Sequence, residues 1–210
     1  RLVTGHRIAL TGREIVAVSG LAVTSVERTW LDLASVLSVD ELVVAGDHLV
    51  SGHHRPFGPP RFAVIPLAEL TAYVNSKKWL PYLQRARDAL SLMRVGVDSP
   101  PESWLRLLLH HAGRPEFVPN YPLMSAQGYP VVWTDLACER FRTCLEYDCG
   151  HHLSPEQQHS DHRRDLLTAE AGWHQVKISK EDMRRGKAAV LTKVQRGLRM
   201  GGWTPGPSCR

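Results

Sequence analysis

The stretch V-V-W-T-D-L-A-C-E-R-F-R-T-C-L-E-Y-D-C-G-H-H, Val131–His152, decides the fold. It reads as two strands, Val131–Cys138 and Arg142–Asp148, joined by the polar connection Glu139-Arg140-Phe141. Side chains alternate between the two faces of a strand. Val131, Trp133 and Asp135 therefore share one face of the first strand, and Cys144, Glu146 and Asp148 one face of the second. Asp is disfavoured in mid-strand, and buried carboxylates without a partner are costly. Glu146 and Asp148, two residues apart on one face, repel each other unless a cation compensates them. Hard divalent ions such as Mg²⁺ or Mn²⁺ suit such oxygen donors, with one or two carboxylates and retained water. The pattern points to metal-dependent cleavage of phosphodiester bonds.

Helix signals flank the hairpin. Downstream, Pro155–Ala171 reads as a polar helix stopped by Gly172, Trp173–Ile178 as a strand, and Lys180–Met200 as a basic closing helix. Upstream, Ser99-Pro100-Pro101-Glu102 has the cap, proline and acid of a helix start. That helix carries Trp104, Leu105 and Leu107–Leu109 to Gly113, and Phe117–Met124 follows as a strand. From Ser99 the order is helix, three antiparallel strands, helix, strand, helix. This is the layout of an α/β sandwich with one central mixed sheet between helices.

The first part of the chain is mostly helical. Two short strands are expected within Arg7–Val18 about Thr11-Gly12. A T-x-x-E cap at Thr24–Glu27 opens a helix Val26–Leu37, and Ser38–Glu41 opens a second to about Leu49. Ser51–Pro60 reads as a loop with exposed histidines. Pro66 starts a helix to Asn75, and Trp79–Met93 reads as a longer one whose Arg85, Arg87 and Arg94 face solvent. Arg94–Asp98 is the expected boundary between a region 1–95 and a domain 96–210.

The chain has 210 residues and a net charge of +5. From Pro155 onward, 11 Lys and Arg stand against 6 Asp and Glu, which accounts for the whole excess. A basic segment beside an acidic site fits a polyanionic substrate such as nucleic acid, and equally a solvated amphipathic helix. No apolar run has the length of a membrane span, and no signal peptide opens the chain, so a cytoplasmic protein without a membrane partner is expected. Cys138, Cys144 and Cys149 lie near His151 and His152, but the C-x5-C-x4-C-x-H spacing differs from zinc knuckles, and buried reduced thiols are expected.

The residues also carry a family resemblance. Ser99–Met183 resembles the very-short-patch-repair-like endonuclease domain of the PD-(D/E)XK nuclease superfamily. The matching pieces are S-P-P-E-S-W-L-R-L-L (Ser99–Leu108), T-D-L-A (Thr134–Ala137), and L-E-Y-D (Leu145–Asp148) followed by His151-His152. D-x-R-R-D (Asp161–Asp165) and A-G-W (Ala171–Trp173) complete the set. Arg1–Ser91 is similar to the segment preceding this domain in actinobacterial proteins with an antitoxin-like winged helix. The similarity lies in Val23-Thr24-Ser25, Arg28–Ala34 and Gly46–Leu49, and it places the winged helix upstream of Arg1.

The resemblance implies a restriction-endonuclease-like sandwich, DNA as substrate and partner, and Mg²⁺ or Mn²⁺ as cofactor. It also raises a homodimer and a toxin–antitoxin partner. Asp135 and Glu146 would be metal ligands, with Glu102 lending a carboxylate from the helix start. Asp148 stands where the superfamily's signature has Lys, and Lys177 on the last strand is a substitute for it. His152 would act in proton transfer. His151, Arg163, Arg164 and Lys177 would contact nucleic acid. A second departure is Cys149, which separates Asp148 from Gly150. Two alternatives to the nuclease stay open: a catalytically silent DNA-binding regulator on the same fold, and a zinc-stabilised interaction module.

Overall fold

The computed structural model describes residues 8–53, 60–148 and 155–205. Among them run eight α-helices, a two-stranded sheet and a four-stranded mixed sheet. The N-terminal elements are β1 (Ile15–Val18), β2 (Leu21–Thr24), α1 (Val26–Leu33), α2 (Val39–Val50), α3 (Leu67–Ser76) and α4 (Leu83–Leu92). Local chemistry sets their ends. Ser38 and Glu41 form a reciprocal capping box at the start of α2, the Ser38 N–H donating to Glu41 Oε2 at 2.8 Å. Ser25, rather than Thr24, caps α1 and accepts the Arg28 N–H.

Other boundaries differ from expectation for physical reasons. The β1–β2 hairpin turns at Ser19-Gly20, whose positive φ values of 51° and 80° suit a tight two-residue connection. Thr11 instead precedes a 3₁₀ turn, Gly12–Glu14, so the strands expected about Thr11-Gly12 lie further on. Helix α4 starts four residues later than expected because Trp79 and Tyr82 take left-handed backbone conformations. Arg85 does not simply face solvent: its Nη1 donates to the carbonyls of Ala34 at 2.7 Å and Leu37 at 3.2 Å, closing the end of α1.

Helices α1–α4 enclose one core built on Trp30, Leu42, Leu70, Val74 and Met93. The Trp30 indole donates to the Leu42 carbonyl at 3.0 Å, which pairs its one polar group.

The second half comprises α5 (Pro100–His111), β3 (Val118–Met124), β4 (Pro130–Cys138), β5 (Thr143–Asp148), α6 (Pro155–Glu170), β6 (His174–Ser179), α7 (Lys180–Arg185) and α8 (Lys187–Met200). The sheet order is β3-β4-β5-β6, with β6 parallel to β5 and the other pairs antiparallel. One face packs on α5 and α8 through Leu105, Leu109, Leu136, Leu145, Ile178, Val190, Val194 and Leu198. The opposite face, with Leu123, Ala137, Cys144 and Trp173, packs on Leu167 of α6. Helix α8 seats closely because Gly197 lacks a side chain: a Cβ there would stand 2.5 Å from a Val176 methyl. The single closing helix expected over Lys180–Met200 is two helices. Ser179 and Asp182 cap α7, and Gly186, at φ 94°, ends it.

Helix α5 belongs to both halves. Its Leu107 packs in the core of α1–α4, while Leu105 and Leu109 pack under the sheet. Asp47 of α2, fully buried, accepts from Ser103 Oγ at 2.7 Å, Arg106 Nη2 at 2.8 Å and the Arg94 N–H at 2.7 Å. A buried carboxylate is tolerated when donors surround it in this way.

Candidate active site

The site begins where β4 and β5 part. Their ladder runs from Cys138–Thr143 to Leu136–Leu145 and stops there. Beyond it, side chains take over backbone bonding. Asp135 Oδ2 accepts the Tyr147 N–H at 2.7 Å, and the Thr134 hydroxyl donates to the Leu145 carbonyl at 3.0 Å. On the other side of β4, Asn120 of β3 has φ 50° and interrupts the pairing between Pro119–Leu136 and Tyr121–Thr134. Asp135 therefore sits at an opening in the sheet, its carboxylate oriented by a main-chain donor.

Glu146 follows on β5, its side chain 18% exposed. Burial pushes its carboxyl up to about 7, and the charge of Asp135 adds to this; Arg164 and the Thr134 hydroxyl act in the opposite sense. Arg164 of α6 bonds Glu146 Oε1 through Nη2 at 2.9 Å, and the same nitrogen donates to the Trp133 carbonyl at 2.8 Å. Glu102, at the start of α5, is also pushed up to about 7, first by burial and then by Asp135. Its oxygens accept from Ser99 Oγ at 2.6 Å and the Asp98 N–H at 2.9 Å. Asp135 is thus the charge that both neighbouring carboxyls feel.

The remaining sequence-derived residues fall around this centre. Lys177 is the β6 residue in register with Glu146, and its Nζ pairs with Asp165 Oδ2 at 2.7 Å. Consecutive residues of α6, Arg164 and Asp165, thus engage neighbouring strand residues, Glu146 and Lys177. Asp148 stands at the exposed end of β5, in register with Ser179. Arg163 is exposed on α6. His151 and His152, with Cys149, lie outside the described residues.

Comparison with protein-family models, characterised proteins and solved structures finds no match. Among the described residues, no three His, Cys, Asp or Glu groups gather as a ready metal cage. The donor set that fits Mg²⁺ or Mn²⁺ is the Asp135–Glu146 pair, with water and phosphate oxygens completing the shell. A divalent ion would favour the ionised Glu146 against the burial and the Asp135 charge that raise its carboxyl. The thiols fit zinc poorly: Cys138 and Cys144 face opposite sides of the sheet in separate cores. Burial also pushes Cys144 up to about 12.

Several residues near the site were not legible in the sequence. His53, expected to be an exposed loop residue, pairs through Nε2 with Asp98 Oδ1 at 2.8 Å and is only 13% exposed. Arg61 Nη1 reaches the same carboxylate at 3.2 Å. These two hold Asp98, whose N–H in turn holds Glu102. The signal available was an Asp directly before a helix cap, with no indication of which distant cations it would meet.

No helix among the described residues is long and apolar enough to cross a membrane.

Proposed function

We propose that this chain is a metal-dependent endonuclease that hydrolyses phosphodiester bonds in DNA. The observation carrying the reading is the pair Asp135 and Glu146 on adjacent strands, at the point where those strands part. Further support comes from the order α5-β3-β4-β5-α6-β6, which is the order expected of a restriction-endonuclease-like sandwich. Asp135 and Glu146 would hold Mg²⁺ or Mn²⁺, which when bound acidifies a water and neutralises charge on phosphoryl oxygens. The Tyr147 N–H keeps Asp135 aimed at the opening. Glu102, with a carboxyl that titrates near neutrality, is suited to take up or release a proton there. Lys177 lies on the strand beside Glu146, and His151 and His152 come after Cys149 and Gly150 beyond the end of β5. The exposed Arg184, Arg185, Lys187, Arg196 and Arg199 give α7 and α8 a basic surface for a phosphate backbone.

A silent DNA-binding protein is the second reading, favoured by Asp148 in the signature lysine's place. One experiment separates the two: calorimetric titration with Mn²⁺ and Mg²⁺, and nicking of supercoiled plasmid, for the wild type and Asp135→Asn. The endonuclease reading expects metal binding and nicking in the wild type. In the variant it expects a drop in nicking of at least about 100-fold, as for loss of a central electrostatic group. A wild type that retains DNA yet neither binds metal nor nicks belongs to the second reading.

A further inference from the structure

Arg164 occupies an unusual position for a residue on a polar helix. Its Nη2 is shared between the Glu146 carboxylate and the Trp133 carbonyl, so it bridges the two parting strands over the acidic opening. The nearby strand cation, Lys177, is engaged by Asp165 instead. Among the described residues, the guanidinium is thus the cation paired with Glu146. Guanidinium groups are weakly hydrated, always charged and shaped to bind phosphate oxygens. With its side chain 37% exposed, Arg164 has solvent on one side into which a substrate can come.

We propose that Arg164 is a displaceable counter-cation that becomes a phosphate-binding group. In the metal-free protein it pairs with Glu146. When Glu146 is taken as a metal ligand, Arg164 keeps its anchor on the Trp133 carbonyl and turns its fork to a non-bridging oxygen of the DNA phosphate. The inference rests on the endonuclease reading and assigns it a phosphate-binding group. It also makes metal and guanidinium competitors for one carboxylate, whereas removing an Arg164 that only shaped the site would loosen metal binding.

The test uses Arg164→Met and Arg164→Gln in the full chain, with thermal melts, Mn²⁺ calorimetry without DNA, and plasmid nicking. Removing a competitor should tighten Mn²⁺ binding by about tenfold in Arg164→Met, the scale of one charge-assisted bond. Nicking should fall by about 100-fold or more in the same variant. Where Arg164→Met melts too early to assay, Arg164→Gln, which keeps a donor for the Trp133 carbonyl but carries no charge, takes its place, again with tighter Mn²⁺ binding and weaker nicking. Mn²⁺ binding that is unchanged or weaker overturns the inference, as does nicking within about threefold of wild type. A wild type that binds no Mn²⁺ and does not nick overturns the endonuclease reading itself, and so the two failures are distinct.

Discussion

A buried carboxyl, Glu102, and a half-buried one, Glu146, beside Asp135 give the site its own pH signature. Glu102 and Glu146 titrate near 7 in the folded protein, against 4.5 as ordinary carboxyls. Between those values the native state holds protons that the unfolded chain has released. Stability of the metal-free protein should therefore fall as pH rises from about 4.5 to about 7. Urea melts at pH 5 and pH 8 would show the loss, and Glu146→Gln should flatten it. Added Mn²⁺ should stabilise more at pH 8 than at pH 5, since it needs the ionised carboxylate. The acids themselves were legible, because Asp135 stands in mid-strand and Glu146 follows on the next strand. Their partners were not. Arg164 meets Glu146 across 18 residues and Lys177 meets Asp165 across 12, separations fixed by how α6 docks.

The joint between α2 and α5 depends on a single buried acid. Asp47→Ala would remove the acceptor for Ser103, Arg106 and the Arg94 N–H, leaving Arg106 buried without its ion partner. A loss of about 3–5 kcal/mol is expected, measured by urea unfolding, with a smaller loss for Asp47→Asn, which keeps an acceptor oxygen. Nothing in the local pattern of α2 marks Asp47 as buried; the helix periodicity alone leaves an acid looking solvated. Elements with local chemistry were read well. The Ser38 cap and the central hairpin follow from neighbouring residues, and α5 starts at Pro100 as expected, but Ser99 does not cap it: its hydroxyl donates to Glu102, which also takes the Asp98 N–H. The helix break at Gly186 was missed because the apolar spacing of Lys180–Met200 runs across it, although Ser179 and Asp182 had already marked a separate short helix. The β1–β2 turn was misplaced because two Gly-containing turns compete within ten residues, and only the second has strand partners.

The boundary expected at Arg94–Asp98 is a boundary in chain order more than in packing. Leu107 lies in one core and Leu105 and Leu109 in the other, on the same three turns of α5. Thermal unfolding should therefore show one transition for both halves. A chain of residues 96–210 alone would uncover Leu107 and leave Arg106 without Asp47, and should lack a cooperative melt by circular dichroism. Two separate transitions in the full chain, or a sharp melt of the isolated piece, would show instead that the halves are energetically independent.

The double service of α5 also bears on how freely the sequence can drift. Its buried positions include Glu102, Ser103, Leu105, Arg106, Leu107 and Leu109, spread around the helix and tied to three different surroundings. Helix α8 buries a single stripe of Val190, Val194, Gly197 and Leu198 and leaves its outer side to solvent. Descendants of this chain can thus recolour α8, and with it the charge offered to a partner, while α5 is held nearly fixed. Change in what the protein touches is cheap at its surface helix, and change in how its halves are joined is not.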